Sequence, residues 1–314
     1  MKLHAPFIQL PLRFDAEALA REVAALGEGA WKPHPQGFAG NSMLPLVAVE
    51  GDPDDESFTG VMRPTPALER SPYLRRVFAS LGATVGRSRL MRLSGHAEVT
   101  RHADQFYYWA ERVRVHVPIV TQPTVRFECG GAAINMAAGE CWIFDTWRQH
   151  RVLNDAVEER IHLVVDTVGG GAFWDAVGRG RRHDERRPDW SPTLIEPAAD
   201  DANVEFACET RNLPTVMSPW EMNSLFGLLF SHAVPHPAWR TVHELTGRFA
   251  RQWQGLWFEF GDEPTGRERF REALHRYVEA VTPISQTLAL DNELPWHGAM
   301  ISTIAQVAVR PDAV

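Results

Sequence analysis

The sequence predicts an α+β fold in which a β-rich core lies between two helical regions. Short segments rich in β-branched and aromatic residues follow one another from about residue 87 to 168, separated by turn signals such as CGG and AAGE. Helical periodicity precedes and follows this region. Hydrophobic residues make up 44% of the 314 residues, enough for a sizeable core. Several short strands at close spacing predict an antiparallel sandwich or barrel.

Two helices are predicted before the strands. The first covers FDAEALAREVAALGEG, with Asp15 at a capping position and Gly27 just past its end. The second covers SPYLRRVFASLGA, with Ser71 as its cap and Pro72 at the first helical position. The stretch between them, to about residue 70, is loop-rich. The N-terminal part is therefore expected to flank the core with helices.

The strands predicted for the core are RLMRLS, RVRVHVPIVT, VRFEC, AAINMA, ECWIFDT and RIHLVVDT. A charged stretch with Gly and Pro, residues 177–192, follows them and is interpreted as a join. Beyond it, three helical segments carry aromatic stripes at steps of three and four, which are typical of a packed core. We therefore predict a first domain over 1–176 and a helical region over 177–314, which makes a homodimer possible.

Composition excludes several classes of partner. The formal net charge is −8, which argues against a nucleic-acid-binding surface. Three cysteines without a CxxC pair fit a reducing compartment. The N-terminus is not typical of a secretory signal, and no apolar run approaches the roughly 20 residues of a membrane helix. We expect a cytoplasmic protein with neither a nucleic-acid nor a membrane partner.

The segment TRHADQFYYW places His102 and Asp104 two positions apart. In an extended segment, such residues project from the same face and can serve one point in space. The segment GECWIFDTWRQH leads from a predicted strand through a short turn to His150. Two histidines and one carboxylate form the ligand set of non-haem Fe(II) oxygenases, which leaves positions open for a co-substrate and oxygen. The sequence therefore predicts a metal site at these three residues.

Two further strands carry charged residues on one face. In RIHLVVDT, alternation places Arg160 and His162 on the same face, and an inward arginine in a barrel requires an anion. A guanidinium can bind a carboxylate in a bidentate manner, and the distal carboxylate of 2-oxoglutarate is a natural candidate. In RVRVHVPIVT, Arg112, Arg114 and His116 share a face. This face is either directed inward and functional, which we favour for Arg114 and His116, or the solvated side of the sheet.

The ordered motifs HAD, RVRVHVPIVT, MAAGECWIFDTWRQHRVLN and RIHLVVD resemble the aspartyl/asparaginyl β-hydroxylase family, over roughly residues 85–168. That family is a branch of the Fe(II)/2-oxoglutarate oxygenases. The resemblance implies a double-stranded β-helix core, also called a jelly roll and similar to cupins. It also implies that His102, Asp104 and His150 bind iron. By the same resemblance Arg160 would hold 2-oxoglutarate, with Arg114 and His116 beside the co-substrate.

The layout, with helices before and after the core, is similar to that of bacterial proline cis-hydroxylases. The activity implied is hydroxylation of an unactivated C–H bond in an amino acid or amino-acid derivative, using Fe(II), 2-oxoglutarate and O2. Two alternatives stay open from the residues: a non-catalytic jelly roll that binds a small anion, and a zinc hydrolase with the same ligands, since zinc uses three such ligands and one water.

Overall fold

The computed structural model describes residues 1–35 and 37–310, which form two compact units. The first unit contains Met1–His102 and Glu111–Asn212. The second contains Ala103–Ala110 and the residues from Leu213 onward. The division after Asn212 differs from the predicted boundary between residues 176 and 177. The reason is that the chain beyond residue 176 still adds strands to the N-terminal strand of the first unit.

The strands, in chain order, are β1 (Phe7–Phe14), β2 (Lys32–Pro33), β3 (Asn41–Val49), β4 (Met62–Pro64), β5 (Thr84–Leu93), β6 (Glu98–His102), β7 (Val113–Val120), β8 (Val125–Cys129), β9 (Ala132–Ile134), β10 (Glu140–Phe144), β11 (His150–Asn154), β12 (Arg160–Gly169), β13 (Arg181–Arg182) and β14 (Thr193–Ile195). Within the described residues they form a large sheet of ten strands and a small sheet of four.

Along the chain, the strands of the core alternate between the two sheets, except that β8 and β9 both lie in the small sheet. The large sheet contains the order β5-β12-β7-β10, and the small sheet has the order β6-β11-β8-β9. All these neighbours pair in antiparallel fashion. Aromatic contacts such as Phe7 with Phe127 join the inner faces of the two sheets. This is a double-stranded β-helix, so the predicted fold class, α+β with a jelly-roll core, is confirmed.

The helices are α1 (Ala16–Ala25), α2 (Pro66–Glu69), α3 (Pro72–Ser80), α4 (Tyr107–Glu111), α5 (Gly171–Arg179), α6 (Pro219–Ser231), α7 (Trp239–Phe260), α8 (Arg267–Ser285) and α9 (Trp296–Met300), with a π-helical turn at Ile301–Ala305. In the first unit, α1, α3 and α5 cover the face of the large sheet that points away from the small sheet. This leaves the other face of the large sheet for the barrel interior.

The helix caps follow the prediction in one case and differ in another. Asp15 caps α1 by accepting a hydrogen bond from the Ala18 N–H at 2.9 Å. Ser71 precedes α3 as predicted, but its hydroxyl donates to the Ala67 carbonyl instead. The first N–H groups of α3 donate to the Glu22 carboxylate of α1, at 2.8–2.9 Å. A carboxylate from a neighbouring helix thus replaces the local cap.

Among the strands that were not predicted, β1 and β3 each contain a proline. β1 contains Pro11, and β3 contains Pro45 and lies in the stretch predicted as loops. Proline lacks the N–H that a ladder requires, so it weakens the sequence signal for a strand. In both strands the pairing register shifts near the proline, between Gln9 and Arg13 in β1 and between Pro45 and Val47 in β3. The irregularities accommodate the missing donors.

The helical unit has an aromatic core of its own, as the stripes predict. Trp253 and Phe270 are fully buried, with ring centroids 4.6 Å apart. Ser218 caps α6 by accepting the Glu221 N–H at 3.2 Å. No helix within residues 1–35 and 37–310 is long and apolar enough to cross a membrane.

Candidate metal centre

Two histidines that are distant in sequence lie opposite each other in the small sheet. His102 is the last residue of β6, His150 is the first residue of β11, and the two are register partners. Their ring centroids are 4.2 Å apart. Directly opposed residues in an antiparallel pair have neighbouring side chains. The strand pairing therefore brings the two imidazoles together.

The backbone fixes the orientation of both imidazoles. His102 Nδ1 lies 2.7 Å from the Thr100 carbonyl oxygen, and His150 Nδ1 lies 2.9 Å from the Arg148 carbonyl oxygen. A carbonyl oxygen can only accept, so each Nδ1 carries the hydrogen and each Nε2 presents a lone pair. Such hydrogen bonds are the usual means of setting the tautomer of a metal-binding histidine.

Asp104 completes the group, two residues after His102. One ligand atom from each of His102, Asp104 and His150 lies within 4.8 Å of the others. The donor set, two imidazole nitrogens and a carboxylate oxygen, suits a divalent transition metal with open positions. The three predicted residues are thus brought together in a group that could hold a metal ion.

The turn before His150 is held by a buried carboxylate. Asp145 is fully buried and accepts hydrogen bonds from the Trp147 N–H at 3.1 Å and from Arg148 Nε at 3.0 Å. Burial raises the pKa of Asp145, and the charge of Arg148 opposes this rise. Because the Arg148 carbonyl holds the His150 ring, the Asp145 turn supports the orientation of that ring.

Arg160, His116 and His162 form a buried polar cluster on the inner face of the large sheet. Arg160 Nη2 lies 2.6 Å from His162 Nδ1, and His116 Nδ1 lies 3.4 Å from the same atom. Arg160 is only 3% exposed. Arg160 Nε and the Nε2 atoms of both histidines are buried and have no hydrogen-bond partner among the described residues. Unsatisfied buried groups are costly, so this cluster is suited to a bound polar ligand.

Burial also shifts the titration of this cluster. It lowers the pKa of Arg160 to about 9, still well above neutral pH. Burial, followed by the charge of Arg160, lowers the pKa of His162 well below 6.5. Burial and the charges of Arg160, Arg114 and His150 do the same to the pKa of His116. At pH 7 the cluster therefore consists of one cation and two neutral imidazoles, which favours an anionic ligand.

The arginines of β7 and its edge have separate partners. Arg114 donates through Nε to Asp166 of β12 at 3.1 Å. Arg112 makes a bidentate ion pair with Glu209, at 2.8 and 2.9 Å, and both side chains are almost fully buried. The charged face of RVRVHVPIVT is therefore directed inward and is not the solvated side of the sheet. Arg112 belongs to an ion pair of the first unit, whereas Arg114 and His116 lie in the barrel.

Three residues near His102 were not identified from the sequence. They are His34, Arg87 and Arg89. Burial, followed by the charges of Arg89, Arg87, Arg114 and His102, lowers the pKa of His34 to about 4. Arg87 stacks on the Phe58 ring at 3.8 Å. These residues come from β5 and from the end of β2, and the only sequence signal was the alternation of arginines in GRSRLM.

A comparison with family models identifies the class of the protein. Residues 57–169, about a third of the chain, match the model of the aspartyl/asparaginyl beta-hydroxylase family. This segment contains the three residues of the candidate metal group and the buried Arg160. The match covers the part of the chain that carries the motifs, and it supports the prediction of an oxidoreductase of the hydroxylase type.

Three solved structures are similar to about half of this chain at low identity. A 2OG-Fe(II) oxygenase family oxidoreductase from Burkholderia pseudomallei is 16% identical, with a TM-score of 0.38, over 52% of this chain and 84% of its own. A prolyl-4-hydroxylase from Pseudomonas putida is 17% identical, with a TM-score of 0.35, over 52% of this chain and 92% of its own. HygX from Streptomyces hygroscopicus, solved with nickel and 2-oxoglutarate, is 10% identical, with a TM-score of 0.37, over 52% and 82%. A comparison with curated protein sequences finds no match.

Proposed function

We propose that the protein is an Fe(II)/2-oxoglutarate-dependent dioxygenase that hydroxylates an unactivated C–H bond of an amino acid or amino-acid derivative. The observation that carries this proposal is the convergence of His102, Asp104 and His150 in one group of ligand atoms. The family of segment 57–169 is a hydroxylase family, which agrees with this reaction type.

Each residue of the group has a defined part in the proposal. His102 and His150 bind iron through Nε2, because a backbone carbonyl holds the hydrogen at Nδ1 of each ring. Asp104 supplies the carboxylate. With iron and 2-oxoglutarate bound, O2 would be the oxidant: one oxygen atom would enter succinate as 2-oxoglutarate loses CO2, and the other would enter the hydroxyl group of the product. The part of the protein is to bind and orient the co-substrate.

Arg160 binds the distal carboxylate of 2-oxoglutarate. Its guanidinium is buried and cationic, and its Nε has no partner among the described residues. A carboxylate that accepts from this group would satisfy it and would compensate the buried charge. His116 lies beside it with a buried Nε2 and provides a second contact. Arg114 lies two residues before His116 on β7, where it is paired with Asp166.

A carboxylate on the substrate would meet a second group of cations. Arg87, Arg89 and Arg114 all act electrostatically on His34, and His102 acts on the same ring. The surroundings of His34 are therefore positively charged. An α-carboxylate of an amino acid fits this positive region. Aspartate, asparagine and proline, and their derivatives, all carry such a group in free form.

An anaerobic titration tests the proposal. Fe(II) and 2-oxoglutarate added to the protein are expected to give a weak visible charge-transfer band, which requires both to bind at one centre. The variant His150→Ala should abolish the band, because one ligand is lost. The matched control is His275→Ala, an exposed histidine of α8, which should leave it unchanged. Absence of the band from the unaltered protein would contradict the proposal.

A screen identifies the substrate and separates the alternatives. Amino acids are supplied aerobically with Fe(II) and 2-oxoglutarate, and succinate release is measured together with a mass gain of one oxygen atom in the product. Amides and esters of the best substrate should react poorly if its carboxylate is recognised. Hydrolysis supported by Zn²⁺ without 2-oxoglutarate would indicate the hydrolase alternative. Binding of an anion without turnover of any compound would indicate the non-catalytic jelly roll.

The homodimer, the cytoplasmic location and the lack of a nucleic-acid partner stay predictions.

A further inference from the structure

We propose that His162 is a positioning residue for co-substrate binding, which acts by holding the guanidinium of Arg160. This inference rests on the proposed function, because the ligand it concerns is 2-oxoglutarate. The two residues lie two positions apart on β12 and project from the same face into the barrel. Both are almost fully buried, at 3% and 2% exposure.

The contact between them fixes the plane of the guanidinium. Arg160 Nη2 donates to His162 Nδ1 at 2.6 Å, a short distance that fits a charge-assisted hydrogen bond. An arginine side chain has several rotatable bonds, and one strong contact at its tip restricts them. With Nη2 anchored, Arg160 Nε is left as a buried donor without a partner among the described residues. The contact thus presents a defined edge of the guanidinium to a ligand.

A neutral partner preserves the charge that the co-substrate needs. An aspartate or glutamate at position 162 would form a buried ion pair with Arg160 and compete with a ligand carboxylate. A neutral imidazole accepts the hydrogen bond and leaves the full positive charge available. The ring is neutral because it is buried beside Arg160.

The hydrogen-bond pattern also defines the tautomer of His162. Nδ1 accepts from Arg160, so the ring hydrogen lies on Nε2. That Nε2 is buried and, like Arg160 Nε, has no partner among the described residues. His116 lies next to the ring on β7, with ring centroids 5.7 Å apart. The residue is therefore ordered by neighbours on two strands, as a positioning role requires.

Two variants of similar size separate the hydrogen bond from simple packing. His162→Asn places its amide oxygen near the position of Nδ1 and can still accept from Arg160. His162→Leu fills the space but has no acceptor. The measurement is the dissociation constant of 2-oxoglutarate from the Fe(II)-loaded protein without oxygen, followed by the charge-transfer band. Affinity for Co(II) without 2-oxoglutarate is the control, because the metal ligands are untouched.

We expect His162→Leu to weaken 2-oxoglutarate binding at least about tenfold, as for loss of a hydrogen bond to a charged group. His162→Asn should stay within about threefold of the unaltered protein, since it keeps the charge-assisted contact. Both should bind Co(II) normally. If His162→Leu does not fold, His162→Gln, whose amide oxygen lies beyond the Nδ1 position, replaces it with the same expected loss.

Two results would overturn the inference while the proposed function stands. One is normal 2-oxoglutarate affinity in the variant that lacks the acceptor. The other is an equal loss in the leucine and asparagine variants with normal Co(II) binding, which would assign the effect to the ring itself. If the unaltered protein does not bind 2-oxoglutarate, the proposed function fails, and the inference fails with it.

Discussion

On two surfaces of the first unit, an arginine alternates with apolar residues along a β-strand, but the surroundings of the two arginines differ. On the inner face of the large sheet, Arg160 is almost fully buried and contacts a neutral histidine. On the small sheet, Arg126 of β8 is about half exposed and pairs with Asp155 at 2.9 Å. The same residue type in the same alternating pattern is thus buried beside a neutral histidine in one place and solvated in an ion pair in the other.

The two arginines differ in their exposure to solvent and in the group that compensates their charge. A guanidinium in water needs no partner, and its ion pairs contribute little to stability. A buried guanidinium needs a compensating group, either a carboxylate from the protein or an anion from outside. Arg112 has a carboxylate from the protein, that of Glu209. Arg160 has an unpartnered Nε and is suited to an anion from outside. The partner available in the fold therefore distinguishes Arg112, which has a buried carboxylate, from Arg160, which has none among its hydrogen-bond partners in the described residues.

The largest expected effect concerns the buried ion pair of Arg112. Replacing Glu209 by Ala leaves a buried cation without its partner and should lower the free energy of unfolding by about 3–5 kcal/mol. Chemical denaturation of the unaltered and variant proteins measures this. The double variant Arg112→Met with Glu209→Leu should recover most of the loss. If the double variant is as unstable as the single one, the ion pair is not the cause.

The second prediction concerns Arg160. Arg160→Gln should weaken 2-oxoglutarate binding by about 2–5 kcal/mol, because it removes one member of a buried charged pair in the complex. Arg126→Gln, on the small sheet, is the matched control and should leave the dissociation constant unchanged. Calorimetry on the metal-loaded proteins without oxygen compares them. Equal affinities of the two variants would remove Arg160 from the co-substrate site.

The third prediction uses pH. The pKa of His116 and that of His162 are lowered in the folded protein, so the unfolded chain binds protons first as the pH falls. Their contribution to stability is full above pH 6.5 and is lost below it, at about 1.4 kcal/mol per pH unit for each histidine. Denaturation between pH 6.5 and 5 should show a slope that is smaller by this amount in His162→Asn. An unchanged slope would indicate that His162 is charged in the folded protein.

The smallest effect is expected at the exposed pair. A double-mutant cycle on Arg126 and Asp155 should give an interaction energy of about 0.2–1 kcal/mol, because both side chains are solvated. Raised salt should reduce this value further, whereas it should leave the cost of Glu209→Ala nearly unchanged. A coupling of several kcal/mol would break the distinction between the two surfaces.

Much of the site could be predicted because it depends on local geometry. Alternation along a strand brings Arg160 and His162 to one face, and it also places Arg114 with His116. His102 and Asp104 are neighbours in the chain. The pairing of His102 with His150 could only be inferred from ligand chemistry, since the register of β6 with β11 is a long-range property.

Other parts could not be predicted because they depend on packing across the chain. Arg112 shares a strand face with Arg114, yet its partner Glu209 comes from a distant segment. The charges of Arg87 and Arg89 act on His34 because β5 pairs with β3, which is paired with the β2 segment just before His34. The first unit extends past the predicted boundary at residue 176 because β13 and β14, which follow that boundary, pair with β1 near the start of the chain.

The sequence by itself determined the class of fold, the candidate metal-binding residues and the charge of the barrel interior. These depend on residue type and on the two-residue period of a strand, and both can be read directly from the sequence. Tertiary structure decided that Arg112 pairs with the carboxylate of Glu209, whereas Arg160 Nε has no hydrogen-bond partner among the described residues. The reason is that burial makes a charge costly, and only the folded chain decides what lies within hydrogen-bonding distance of it.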